Sequence, residues 1–270
     1  MFDEASVSHF ELFGFAVLRN LLSGDEAHRL RAEVEAGLRD AFGLRFGENT
    51  RDDMPAEDDE EVAAEGNFLP LMADRTPLSQ SLLADDLRLQ SFAEAVLGES
   101  TIASPALATL LVADTPWHND PGTGERWLRL NAYLQPSAAD TGSLRVVPAS
   151  QQGSLPTDIA EMLKHQRTLR ARPDALPGVA LETMPGDVIA FDPRVHHGAW
   201  GGGRRLRWSV DFVALPSKGD RKRLDETRAL VQELSSWPTT DAWPTWREWA
   251  AGPDERRRAA VAKLKALGIF

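Results

Sequence analysis

Between about residue 101 and residue 216 the chain breaks into short β-type runs, and this stretch constrains the fold more than any other feature. "PALATLLVA", "WLRLNAYLQ", "SLRVVP", "GVALETM", "DVIAFD" and "RLRWSVDFVAL" are parted by Gly, Pro, Asp or Asn. Runs of that length and spacing read as strands joined by turns. Six or more antiparallel strands in one stretch imply a jelly-roll or barrel-like double sheet. Met184-Pro185-Gly186-Asp187 places Pro and Gly at the two central positions of a type II turn, which predicts a hairpin there.

Helical patterns flank this core. A short strand-like run, Phe13 to Leu18, is followed by a capping box in which Ser23 is the cap and Glu26 sits three residues on. Leu30, Val34 and Leu38 then recur at helical spacing. Thr76-Pro77 marks a further helix start, and "DDLRLQSFAEAVLG" closes on Gly98. Past Pro216, "RLDETRALVQEL" and "PDERRRAAVAKLKALG" are helical, with Trp237, Trp243, Trp246 and Trp249 between them expected to dock the tail on the β-core. The expectation is a single domain over residues 1–270, mainly β with flanking helices. Its helical part covers about 1–100, its β-core about 101–216 and its helical tail about 217–270.

Charge and composition narrow the partners. A net charge of −11 argues against nucleic acid and anionic membranes, which both want a basic surface. No apolar run approaches membrane-spanning length, and "MFDEASVSHF" lacks the basic start and apolar core of a signal peptide, so a cytoplasmic protein is expected. Arginine greatly outnumbers lysine, the bias of a GC-rich bacterial genome. The chain has no cysteine, so any metal site must be built from histidine and carboxylates. Residues 51–66, "RDDMPAEDDEEVAAEG", carry eight acidic residues in sixteen; they read as a solvated loop, or as a lid over an active site.

The stretch "TPWHNDPGTG" sets His118 two residues before Asp120. In extended chain, residues i and i+2 point the same way, so both can present a ligand to one point. With a second histidine they would form the facial triad of non-haem Fe(II) oxygenases. Six histidines in a chain this rich in aspartate yield about 0.5 such pairs by chance, so the motif needs support. That support is "GDVIAFDPRVHHGAWGGGRRLRWSVDF", where an apolar strand ends in His196-His197 and the next strand brings Arg205 and Arg207 back. Of the two adjacent histidines only one can face inward.

These segments together resemble the phytanoyl-CoA dioxygenase family of Fe(II)- and 2-oxoglutarate-dependent oxygenases. "WHND" matches the family's His-x-Asp, "GSLRVVPAS" its Gly-x-Leu-x-Val-x-Pro-Gly-Ser segment, and "GDVIAFDPRVHHGA" the strand with the distal histidine. "RLRWS" matches the arginine strand, and "FGFAVLRNLLSGDEAHRLRAEV" resembles the family's opening; the likeness spans roughly residues 10 to 215. The chain departs from the family at "PASQ", where many relatives have Pro-Gly-Ser-His.

The resemblance implies a double-stranded β-helix (jelly-roll, cupin-like) core binding Fe(II), with 2-oxoglutarate and O2 as co-substrates. His118, Asp120 and His197 would be the metal ligands, since His197 precedes the family's Gly-Ala. His196 would face away as a structural or exposed histidine. An arginine on the following strand would hold the distal carboxylate of 2-oxoglutarate. Arg207, which forms Arg-x-Ser with Ser209, is favoured over Arg205. On "WLRLNAYLQ", Arg129, Asn131 and Tyr133 share a polar face. Asn131 is the candidate 2-oxoglutarate contact and Tyr133 the next, unless that face sees solvent. Trp117 would wall the pocket or pack in the core. Arg167, Arg170 and Arg172 would bind an acyl-CoA phosphate or lie on a solvated face.

The implied reaction is hydroxylation, or another oxidation, of a small molecule. Asp120 stands where related halogenases have a small residue, so halogenation is disfavoured. The competing reading is a cupin-like metal- or ligand-binding protein without oxygenase turnover, against which the arginine strand argues.

Overall fold

The computed structural model describes residues 2–43, 66–70, 76–84, 86–104, 106–111, 114–120, 126–169, 177–201, 204–216, 219–235, 249–253, 255–266 and 268. In chain order the elements are α1 (Glu4–Phe13), β1 (Phe15–Leu18), α2 (Gly24–Phe42), β2 (Gly66–Pro70), α3 (Pro77–Ala84) and α4 (Arg88–Leu97). Then follow β3 (Thr101–Ala103), β4 (Leu107–Leu111), β5 (Thr115–His118), β6 (Trp127–Tyr133), β7 (Arg145–Val146), α5 (Leu155–Leu169) and β8 (Val179–Ala180). The chain ends with β9 (Val188–Phe191), β10 (His197–Ala199), β11 (Arg205–Ala214), α6 (Arg221–Ser235) and α7 (Glu255–Ala266).

Two antiparallel sheets form the jelly-roll. The larger runs β1-β9-β6-β11-β4-β2, with β3 also paired to β11; the smaller runs β5-β10-β7-β8. One face of the larger sheet packs on the helices. Leu128, Leu130, Ala190, Trp208 and Val210 share an apolar cluster with Leu30, Val34 and Leu38 of α2 and Phe92 of α4. The stripe read from the sequence is therefore the buried face of α2, which starts at the Ser23–Glu26 capping box and stops at Gly43 in the left-handed conformation. The opposite face of the larger sheet turns inward, where Tyr133, Ile189 and Phe191 meet Leu144, Val146, Leu181 and Val195. Trp249 is buried in the helix-side cluster with Val261 and Leu264, which docks the end of the chain as expected. Trp237, Trp243 and Trp246 lie outside the described residues, as do Arg170, Arg172, residues 51–65 and the side chain of Arg167.

Four expectations need correction. The Met184–Asp187 segment is a turn of the expected kind, with Gly186 at φ +106 and Asp187 N–H donating to the Met184 carbonyl. It does not close a hairpin, because β8 pairs with β7 in the small sheet and β9 with β1 and β6 in the large one. Turn residues dictate a chain reversal and are silent on the partner that follows. Helix α1 covers a stretch for which no element was expected and takes in Phe13, expected to start a strand; Asp3 caps it by accepting from Ser6 N–H, and Gly14 ends it. Helix α5 occupies a stretch that carried no helical reading. Finally, the polar face of β6 does not see solvent, since every residue of β6 is buried.

The φ of Ala149, +61, lies in the left-handed region that an L side chain avoids. Its N–H bonds the Phe13 carbonyl, so the turn is held in that conformation. Ala149→Gly is expected to raise stability by up to about 1 kcal/mol, the strain relief being partly offset by a freer unfolded chain. Chemical denaturation of the two proteins checks this, and an unchanged or lower midpoint would contradict it.

Candidate metal centre and co-substrate pocket

The two histidines meet because their strands are neighbours: β5 and β10 pair with His118 opposite His197. Gly198 makes that approach feasible. A Cβ there would lie 3.0 Å from the Thr115 carbonyl oxygen and 3.3 Å from Trp117 N. Asp120 follows β5, its N–H donating to the Pro193 carbonyl at 2.9 Å. Ligand atoms of His118, Asp120 and His197 all lie within 4.8 Å of one another, the spacing of groups that share one ion.

Each imidazole is held in the tautomer a ligand needs. His118 Nδ1 lies 2.8 Å from the Pro116 carbonyl oxygen and His197 Nδ1 2.8 Å from that of Val195. A carbonyl only accepts, so Nδ1 carries the proton and the Nε2 lone pair faces the cluster. Burial pushes His197 down to about 3, which leaves its ring neutral at ordinary pH. Burial alone would raise the Asp120 carboxyl, but the Arg129 guanidinium holds it below the usual carboxylate value. The cluster thus offers two imidazole nitrogens and one carboxylate, the hard and borderline donor set of a divalent transition metal. His196 is buried, its N–H donating to Ser150 Oγ at 2.8 Å, and it stands outside the ligand group. It is a structural histidine, and the exposed alternative falls.

A cavity of about 190 Å³ opens beside the cluster, lined among others by His118, Asp120, His197, Arg129, Tyr133, Arg205 and Arg207. Leu111, Leu144 and Phe191 supply apolar wall. The two arginines differ. Arg205 donates to the Gly142 carbonyl and Thr115 Oγ1, both at 3.3 Å. Arg207, opposite Tyr133 and Thr109 in the sheet, makes no hydrogen bond or ion pair among the described residues, and its buried Nε is unsatisfied. Burial lowers Arg207 from its ordinary value, whereas Arg129 is raised by Asp211 and Asp120 against its own burial. Arg207 is thus a half-buried cation whose buried Nε has no partner among the described residues, and such a group favours an anion in the cavity.

Asn131 and Ser209 sit side by side in the β6–β11 register, buried, and neither lines the cavity. Both polar atoms of the Asn131 amide are buried without a partner. Trp117 packs with Val147 and Ile159 and meets Trp200 edge-on at 5.1 Å, so it belongs to the core and not to the pocket wall. The residue that sequence reasoning missed is Arg129, which donates to Asp120 Oδ2 at 2.7 Å and to Asp211 Oδ1 at 2.8 Å. The signal was an arginine inside the apolar run "WLRLNAY" with an aspartate inside "WSVDFVA", two charges that apolar strands hold only as a pair.

A model of the phytanoyl-CoA dioxygenase (PhyH) family matches residues 10–204, well over half of the chain. The chain belongs to the phytanoyl-CoA dioxygenase family. The match stops one residue before β11, so Arg205, Arg207 and Ser209 lie just past it. Among solved structures, AviO1 from Streptomyces viridochromogenes Tue57 is 25% identical with a TM-score of 0.58, over 79% of this chain and 96% of that one. HygX from Streptomyces hygroscopicus, solved with nickel and 2-oxoglutarate, is 15% identical with a TM-score of 0.60, over 79% of this chain and 88% of that one. EctD from S. alaskensis, solved with 2-oxoglutarate and 5-hydroxyectoine, is 19% identical with a TM-score of 0.56, over 79% of this chain and 77% of that one. At such identities the last two speak for the shared jelly-roll fold of this family. No functionally curated protein matches the sequence. Among the described residues, no helix is long and apolar enough to cross a membrane.

Proposed function

We propose that this phytanoyl-CoA dioxygenase family member is an Fe(II)- and 2-oxoglutarate-dependent oxygenase that hydroxylates, or otherwise oxidises, an unactivated C–H bond of a small molecule. The observation that carries the reading is the Arg207 guanidinium, without a hydrogen bond or ion pair among the described residues, in the same cavity wall as the His118–Asp120–His197 cluster. A metal-binding protein without turnover has no use for a half-buried, unpaired cation there, whereas a dicarboxylate co-substrate supplies an anion for it.

The donor set and the cationic pocket fit iron and 2-oxoglutarate. When bound, the pair supplies the oxidising chemistry: substrate C–H, O2 and 2-oxoglutarate become C–OH, succinate and CO2, one oxygen atom going to each organic product. His118 and His197 present Nε2, and their Nδ1 bonds to backbone carbonyls keep the rings from turning. Asp120 supplies the third ligand and neutralises one charge of the ion. Arg207 holds the distal carboxylate, with Tyr133 beside it. Leu111, Leu144 and Phe191 keep water from the reacting carbon.

Purified protein loaded with Fe(II) and 2-oxoglutarate should be offered a panel of small molecules, following both succinate and a product gaining one oxygen. Succinate rising in step with oxygenated product for some member of the panel is the expected result. Iron and 2-oxoglutarate that bind and never yield succinate, whatever the candidate, would favour the non-catalytic reading.

A further inference from the structure

We propose that Arg129 is a positioning residue that fixes Asp120 as a one-oxygen metal ligand and so keeps a coordination position open. The proposal rests on reading His118, Asp120 and His197 as the iron site. Arg129 is buried on β6, directly opposite Asp211 on β11. One edge of its guanidinium is used up by Asp211, with Nε donating to Oδ1 at 2.8 Å and Nη2 to Oδ2 at 3.2 Å. Asp211 is itself anchored, its N–H donating to Ser104 Oγ at 3.0 Å and its carbonyl accepting from Ser104 N–H at 2.7 Å. The Arg129 guanidinium also lies over the Trp127 ring, 5.0 Å from its centroid.

That clamp leaves Nη1 a single direction, and it meets Asp120 Oδ2 at 2.7 Å. Asp120 lies beyond the end of β5 with its N–H held by the Pro193 carbonyl, and the guanidinium fixes which way its carboxylate turns. With Oδ2 taken, Oδ1 is the oxygen turned to the cluster, 3.6 Å from His118 Nε2. The distinction matters chemically. An octahedral ion with three protein donors has three positions left, which a bidentate keto acid and O2 fill. A carboxylate binding through both oxygens would occupy one of them. A lysine in place of Arg129 carries the charge but lacks the planar fork that holds two carboxylates at once.

The test uses Co(II) as a spectroscopic stand-in on the full chain, because its visible bands report the donors around it and their geometry. Arg129→Met leaves Asp211 buried and unpaired, so it is made together with Asp211→Asn, which removes that charge. The double variant is expected to fold with a melting temperature near wild type. It should bind Co(II) roughly 10- to 100-fold more weakly, the usual cost of losing an outer-shell partner, with visible bands altered because a second carboxylate oxygen takes a position that water holds in the wild type. Arg129→Lys should fold and stay weakened. If either folded variant matches wild type in affinity and spectrum, Arg129 is only a structural charge and the proposal is overturned. Wild-type protein that takes up no Co(II) would refute the iron-site reading itself, and the proposal with it.

Discussion

Replacing His197 by alanine is expected to abolish iron binding and all activity, while His196→Ala leaves iron binding close to wild type. His197 supplies one of three donors, and its ring is already neutral and turned to the cluster, so nothing in the pocket can replace it. The loss should exceed the roughly 10- to 100-fold of outer-shell changes. His196 differs by one position in sequence and by its whole surroundings in space, being packed beside Ser150. Its removal costs stability through a small buried void, about 1–2 kcal/mol for a change of this size. Iron titration of the two folded variants separates the cases. Equal loss in both would mean that the ligand has been assigned to the wrong histidine.

Arg207→Ala should raise the 2-oxoglutarate requirement by one to a few orders of magnitude. A charge-assisted bidentate contact involves two bonds, each worth roughly 1.5–3 kcal/mol, and about 1.4 kcal/mol is a factor of ten. Arg207 has no other partner among the described residues, so its loss removes the co-substrate contact and little else. Arg205→Ala should behave differently, because Arg205 ties the Gly142 carbonyl and Thr115 Oγ1 together across the cavity rim. It is expected to lower stability and leave the 2-oxoglutarate requirement nearly unchanged. Steady-state KM values for 2-oxoglutarate in the two variants decide the matter, and a reversed order would move the carboxylate to Arg205.

Local patterns were legible in the sequence wherever a few neighbouring residues settle the outcome. Ser23 and Glu26 cap α2 as their spacing requires, and Gly98 ends α4 in the left-handed conformation. The i, i+2 spacing of His118 and Asp120 did bring both to one point, and the alternation rule did separate His196 from His197. What stayed hidden was long-range. Nothing in Met184–Asp187 says that the strands on either side join different sheets. Nothing in α5, laid between β7 and β8, distinguishes its mixed composition from a loop until Ile159 packs on Trp117. Arg129 was visible as a charge in an apolar run, but its meaning depends on Asp211, more than eighty residues away, arriving opposite it in the β6–β11 register. Pairings of that kind are decided by the whole sheet and not by any window of the chain.

The central claim is that one cavity holds iron and 2-oxoglutarate together, and the visible spectrum of the oxygen-free protein tests it most directly. A keto acid chelating Fe(II) produces a charge-transfer band that neither component gives alone. The account predicts that this band appears when both are added to the wild-type protein. It should be absent in His197→Ala at any concentration and require far more 2-oxoglutarate in Arg207→Ala. Iron that binds His118, Asp120 and His197 yet shows no such band at saturating 2-oxoglutarate would contradict the account.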